Sequence, residues 1–378
     1  MLKGLSRLWW RGVKSISKVQ QSQNKKLVKA LLAKPASVLK RKPAKSLSRK
    51  GATVATPSVK SKAAPAKHTL PGQWLSFYDV SSKKAPAVPG RRMQYWLYLP
   101  ASAGTASLPL VVMLHGCNQS VDDFARGTRM NQLAEKQGFA VLYPQQSLTG
   151  HPKRCWNWYN KDTQAGGGDA KCIAGIISKI SDKFAIDKTR VYIAGLSAGA
   201  SMASIVALNY PHLITAVGIH SGTVFGAGHS IVGAYAVMQR GSVKGLSGAV
   251  NNILRKHVAF PKMPVMLIHG LDDNIVRPVN VRQLAQQFRA LNQVTEETEA
   301  TVTFKAASTA QSRHPHHPYN MYEYYESNEL LVKVCENFQL GHAWSGGDCK
   351  LRYNACTGPD ATRMLWQFFR QHRRVEAP

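Results

Sequence analysis

The chain has 378 residues, 44% of them hydrophobic, enough for one large domain or two small ones with a sizeable core. Lys and Arg number 50 against 20 acids, a net charge of +30. Eighteen of those bases fall in residues 1–68, ahead of the first acid, Asp79, so an extremely basic tail precedes a moderately basic body. No stretch approaches the ~18 consecutive apolar residues of a membrane-spanning helix.

Residues 2–20 set Leu2, Leu5, Trp9, Val13 and Ile16 at three- and four-residue spacing, with Lys3, Arg7, Arg11, Lys14 and Lys18 between them. That pattern predicts a basic amphipathic helix able to lie on an anionic or hydrophobic surface. It has neither the continuous apolar run nor the small-residue cleavage site of a secretory signal. Residues 40–72 are rich in Lys, Ala, Pro and Ser, a composition that cannot bury a core and reads as a charged linker. Lacking aromatic interleaving beyond Trp10, the tail is a poor candidate for nucleic acid, and a granule or anionic surface met through residues 1–68 is the expected partner. The expected boundary divides a tail, 1–72, from a catalytic domain, 73–378.

From there apolar runs alternate with helical periods. Met93–Leu99 and Leu108–Leu114 read as strands, followed by a helix from about Asp122 to Lys136. Phe139–Tyr143 is a strand, and Ile173, Ile176, Ile177 and Ile180 mark a helix over 170–184. Val191–Ala194, Ala216–His220, Val265–Ile268 and Leu330–Glu336 complete the strands, with helices over 281–291 and 360–374. Residues 223–262 carry many glycines and no clear period, and are expected to form a cap or flap. The alternation predicts an α/β fold, a mostly parallel sheet with helices on both faces.

Between strand 191–194 and a small-residue helix stopped by Pro211 lies Gly195-Leu196-Ser197-Ala198-Gly199. Strand, G-x-S-x-G, helix describes a nucleophile elbow, in which the serine hydroxyl is lifted clear of the sheet at a sharp turn. Side chains at 195 and 199 would collide with the neighbouring strand and helix. A serine nucleophile needs a base, and the base an orienting carboxylate, in the chain order Ser, acid, His. Asp272 and Asp273 follow the strand ending at Ile268, and Asp273 is the preferred acid. His342, in the small-residue loop after the last strand, is the expected base. The oxyanion hole needs two backbone N–H groups; Ala198 supplies one and Cys117, in His115-Gly116-Cys117, the other. His314, His316 and His317 read as a solvated Pro-rich loop. The six cysteines form no C-x-x-C pattern, so neither metal nor cofactor is expected, and Cys349 can pair with Cys356 across a short loop.

With these landmarks placed, the chain resembles the polyhydroxybutyrate (PHB) depolymerase family of esterases. The resemblance rests on Leu114-His-Gly-Cys-Asn-Gln119, Cys155-Trp-Asn-Trp158, Val191-Tyr-Ile-Ala-Gly-Leu-Ser-Ala-Gly199, His220-Ser-Gly222, His269-Gly270 with Asp273 and Val276, and Gly341-His-Ala-Trp-Ser-Gly-Gly347. It implies an α/β-hydrolase fold with Ser197, Asp273 and His342 as the triad. It also implies a polyester or small ester substrate, with feruloyl and acetylxylan esterases as related activities. The segment Cys155-Trp156-Asn157-Trp158 resembles the family's active-site rim, where exposed Trp156 and Trp158 would hold a polyester or aryl group, with a core tryptophan pair near a disulfide as the equal alternative. Trp344 is a further substrate-binding candidate. The even cysteine set and the family favour an extracellular location. The poor signal match favours a cytoplasmic, granule-associated one. A non-catalytic granule- or nucleic-acid-binding protein is the third reading.

Overall fold

The computed structural model describes residues 70–80, 92–243, 245–295, 299–308 and 315–375. The expected amphipathic helix, residues 40–69 of the expected linker and His314 lie outside them. In chain order the elements are β1 (Gln73–Val80), β2 (Arg92–Leu99), β3 (Leu108–Leu114), α1 (Val121–Thr128), α2 (Met130–Gln137), β4 (Ala140–Gln145), α3 (Lys161–Gln164) and α4 (Gly168–Lys183). There follow β5 (Ile186–Leu196), α5 (Ala198–Asn209), β6 (Ala216–His220), α6 (Ile231–Arg240), α7 (Ser247–Lys256), β7 (Val265–Gly270) and α8 (Val279–Leu291). The chain continues through β8 (Thr301–Lys305), β9 (Tyr319–Glu326), β10 (Glu329–Asn337) and α9 (Ala361–Phe369).

Ten strands form one sheet in the order β1-β2-β4-β3-β5-β6-β7-β10-β9-β8. The six from β4 to β10 run parallel, and antiparallel pairs close each edge. The parallel strands are near-continuous apolar runs because both faces are covered. Alternate side chains therefore serve different layers. Leu110, Val112, Ile193, Val217 and Leu267 pack with Ile176 of α4, α5 and Phe288 of α8. Val111, Met113, Tyr192, Ala194 and Met266 pack with Phe124 of α1, Met130 of α2 and Phe369 of α9. Every residue of α5 is buried, which its run of Ala, Ser, Met and Ile permits.

The structure departs from the sequence-based expectations in three places. The single helix expected over 122–136 is two, broken at Arg129, which takes φ 58°. The Gly127 carbonyl ahead of that break accepts the Asp348 N–H at 2.8 Å, and the Arg129 guanidinium donates to the Gly346 carbonyl, so the C-terminal loop docks into the joint. The glycine-rich region 223–262 contains two helices, α6 and α7, where no period was read. Strands β1, β8 and β9 had no sequence assignment; β8 is an edge strand and β9 its neighbour, and both have few fully buried residues, so they lack a clean apolar signal.

Candidate active site

Leu196, His220, Ile268 and Cys335 are register partners across β5, β6, β7 and β10, forming one row at the carboxyl ends of four parallel strands. Neighbouring strands lie ~4.8 Å apart, so loops leaving this row are held close together. Ser197, Asp273 and His342 all lie in segments just beyond it, although 145 residues separate the first from the last.

Ser197 sits between β5 and α5 with φ 57° and ψ −120°, a backbone that L residues rarely adopt. The strain is held by packing on both sides. A Cβ at Gly199 would stand 2.1 Å from the Leu114 carbonyl oxygen, and one at Gly195 would stand 2.4 Å from the Gly199 carbonyl carbon. Glycine is required at both, as the sequence predicted. The Ser197 N–H donates to the His220 carbonyl at 2.9 Å, tying the elbow to β6. The N-terminus of α5 adds its positive end beside the hydroxyl.

Asp273 and His342 meet through a second close approach. A Cβ at Gly270 would stand 2.1 Å from the Leu340 carbonyl oxygen, so only glycine lets the segment after β10 lie against the end of β7. The Asp272 N–H donates to that same carbonyl at 3.1 Å. His342 Nδ1–H then reaches Asp273 Oδ2 at 2.7 Å, leaving Nε2 free to take a proton. Asp273 Oδ1 accepts the Ile275 and Val276 N–H groups at 2.9 Å each. Burial by itself would raise the Asp273 carboxyl, but the neighbouring His342 and His269 and these N–H donors hold it below its ordinary value. The exposed Asp272 lacks any such cage. Among the described residues no hydrogen bond joins the Ser197 hydroxyl to His342, a link that commonly tightens only with substrate.

Two N–H groups flank the serine without a protein acceptor among the described residues, those of Ala198 and Cys117. The loop carrying Cys117 is pinned from several directions. A Cβ at Gly116 would stand 3.7 Å from the Ser197 Cβ, so this loop runs beside the serine. His115 Nδ1–H donates to the Gly116 carbonyl at 2.8 Å, and its Nε2 accepts the Gln146 N–H at 3.1 Å. Cys117 is disulfide-bonded to Cys155, and Asn118 N–H donates to the Lys153 carbonyl at 2.7 Å. The second disulfide joins Cys349 to Cys356, as the spacing suggested.

The tryptophans require a correction. Trp156 and Trp344 are fully buried and form no exposed rim. Trp156 Nε1–H donates to the His115 carbonyl at 3.0 Å, and Trp344 Nε1–H donates to Thr362 Oγ1 at 3.1 Å. A large ring with one polar atom is buried where that atom finds a partner. Trp158 alone borders the cleft at Ser197, which it shares with Cys117, Thr223, Met238 and Val276. His316 belongs elsewhere, bridged to Gly358 beside β9.

Sequence reasoning assigned no role to two histidines that close the row. His220, at the end of β6, accepts the Ser345 N–H on Nε2 at 3.1 Å and stacks on Trp344 with centroids 5.1 Å apart. His269, in β7, donates Nε2–H to the Val276 carbonyl at 2.7 Å and lies 3.6 Å from Asp273 Oδ2. A histidine closing a buried strand was the available signal.

Comparison with known proteins gives the chemistry a family. The family model described as esterase PHB depolymerase matches residues 93–315. The chain belongs to the PHB depolymerase esterase family. It has the α/β-hydrolase fold. Poly(3-hydroxyalkanoate) depolymerase C of Paucimonas lemoignei is 29% identical over 215 residues, 56% of this chain and 51% of that protein. Feruloyl esterase B of Thermothelomyces thermophilus is 30% identical over 208 residues, 52% of this chain and 69% of that one. The chain thus matches about half the length of the depolymerase. An acetyl xylan esterase from Aspergillus awamori shares the fold with TM-score 0.57 at 18% identity, covering 72% of this chain and 94% of the other. Among the described residues of this family member no helix is long and apolar enough to cross a membrane.

Proposed function

We propose that this esterase hydrolyses short-chain hydroxyalkanoate polyesters or their oligomers, with Ser197 as nucleophile, His342 as general base and Asp273 as its orienting acid. The observation that carries the assignment is the 2.7 Å His342–Asp273 hydrogen bond beside the strained serine turn. Ser197 Oγ attacks the ester carbonyl carbon as His342 Nε2 takes the hydroxyl proton. The Ala198 and Cys117 N–H groups receive the resulting oxyanion, and Asp273 stabilises the imidazolium through Nδ1–H. Collapse breaks the C–O bond, and His342 returns its proton to the leaving alkoxide. Water, deprotonated by the same imidazole, then releases the acid and regenerates Ser197.

The cleft at Ser197 is narrow and largely apolar, walled by Trp158, Met238 and Val276, which suits a short aliphatic acyl group. The same cleft suits an acetyl group on a polysaccharide, and the match to feruloyl esterase B keeps carbohydrate esters as the second reading. Two disulfides favour an oxidising, extracellular setting for the folded domain. The basic residues 1–68 suit a polyester granule or an anionic surface; partition onto polymer particles that survives deletion of residues 1–70 would remove that role.

The test is hydrolysis of 3-hydroxybutyrate oligomers beside methyl ferulate and acetylated xylan, with Ser197→Ala as control. Loss of turnover by roughly 10⁴-fold or more is expected in the variant. Release of 3-hydroxybutyrate by the unaltered chain supports the polyester reading. Preference for ferulate or acetyl groups moves the substrate to polysaccharides.

A further inference from the structure

Behind the serine, α6, α7 and the loop from Phe225 to His229 enclose an open cavity of about 870 Å³. That falls in the ~300–1,000 Å³ range of small-molecule sites. Its walls are largely apolar, including Phe225, Val237 and Ile253, and among the described residues no Asp or Glu lines it. Two cations do, Arg240 and Lys256. Lys256 is anchored to the Ala165 carbonyl at 2.9 Å and Asn209 Oδ1 at 2.7 Å. Arg240 is exposed and makes no hydrogen bond or ion pair among the described residues. An apolar chamber with uncompensated positive charge at its lip selects an aliphatic chain ending in an anion.

The cavity adjoins the proposed nucleophile. Trp158, Ser201 and Thr223 line both the Ser197 cleft and a small void behind it. Gln164, Phe225 and Gly226 line both that void and the cavity. Ser201 Oγ and Thr223 Oγ1, joined by a 2.8 Å hydrogen bond, lie in the wall between the serine cleft and the void. Helix α6 forms a common wall, presenting Met238 to the serine cleft and Val237 and Arg240 to the cavity.

We propose that this cavity holds the carboxylate-terminated end of a hydroxyacyl oligomer, the fragment that leaves as the alcohol, with its carboxylate at Arg240. In such an oligomer the acyl group transferred to serine lies towards the hydroxyl terminus, so the leaving fragment carries the free carboxyl. The proposal rests on the polyester reading above and names the subsite that would recognise the anionic end.

Titration calorimetry on the Ser197→Ala protein, with 3-hydroxybutyrate trimer as free acid and as methyl ester, tests it. The free acid is expected to bind about fivefold more tightly, the scale of a solvent-accessible ion pair. Adding Arg240→Gln should erase the difference, and Arg240→Glu should reverse it. Equal affinity for acid and ester, no binding of either, or a preference for the acid that survives both substitutions overturns the proposal. Hydrolysis of p-nitrophenyl acetate and of the trimer by the unaltered chain is read separately. If both esters are cleaved while the titration fails, the cavity assignment alone falls; if the trimer resists cleavage, the polyester reading falls.

Discussion

His220 touches the Ser197 segment and the His342 segment at once: its carbonyl accepts the Ser197 N–H at 2.9 Å, and its ring Nε2 accepts the Ser345 N–H at 3.1 Å. The ring also stacks on Trp344, two residues beyond the proposed base. One strand-end residue thereby sets the elbow and the base loop relative to each other.

His220→Phe keeps an aromatic ring but leaves the buried Ser345 N–H without its acceptor, a cost of about 1–3 kcal/mol. The expected outcome is a lower Tm and a lower kcat with KM nearly unchanged, because substrate contacts are untouched. His220→Gln, which retains an acceptor, should recover part of the kcat. A change confined to KM would contradict the positioning role.

Two adjacent aspartates give opposite expectations. Asp273→Asn keeps the shape but presents an amide to His342 Nδ1 and removes the charge that stabilises the imidazolium. A kcat loss of about 10⁴-fold is expected from disruption of such a pair. Asp272→Asn, at an exposed position, should stay within about twofold of the parent, since surface substitutions away from special contacts change little. Steady-state kinetics on a chromogenic ester separates them, and comparable losses would reopen the choice of acid.

The Cys117–Cys155 disulfide closes a loop of sequence separation 38 and holds one of the proposed oxyanion donors. Chain-entropy arguments give about 4 kcal/mol for a loop of that size. Cys155→Ser should lower Tm and reduce kcat together as the Cys117 N–H loses its fixed position. An unchanged kcat in the folded variant would mean that the hydrogen bonds from His115, Asn118 and Trp156 suffice to place it.

Acid should destabilise this fold well before its carboxylates titrate. Burial pushes His115 down to about 4 and His220 down to about 3, with nearby cationic groups adding to the effect. An unfolded histidine titrates near ~6.5. Since the folded values lie below the unfolded one, both rings contribute full stability above pH ~6.5 and lose it progressively as pH falls, on the order of 3 kcal/mol each by pH 4. Asp273, held below its ordinary value, adds a separate loss only in the carboxylate range. Thermal unfolding followed from pH 7 to pH 4 should show Tm falling throughout; a flat profile would contradict buried neutral imidazoles.

The sequence made the central strands legible because they are buried on both faces and read as short apolar runs between Gly and Pro. The elbow was legible because the local glycine spacing answers a local steric demand at Gly195 and Gly199. Strands β8 and β9, at one side of the sheet, were not, since half-exposed strands mix polar and apolar residues. The sequence left Trp156 open between rim and core and misplaced Trp344 at substrate, because it shows a large ring but not the His115 carbonyl and Thr362 hydroxyl that draw it inward.

Residue types, their order and their position after strands were therefore enough to nominate Ser197, Asp273 and His342 and to predict a covered parallel sheet. Only the tertiary structure decided which aspartate meets the histidine, because that depends on Gly270 admitting the Leu340 carbonyl and on a cage of N–H groups around one carboxylate. It alone also placed α6 between the serine and a basic apolar cavity. Local sequence specifies a turn or a strand, whereas contacts between distant segments follow from strand order, register and the few points where backbones can touch.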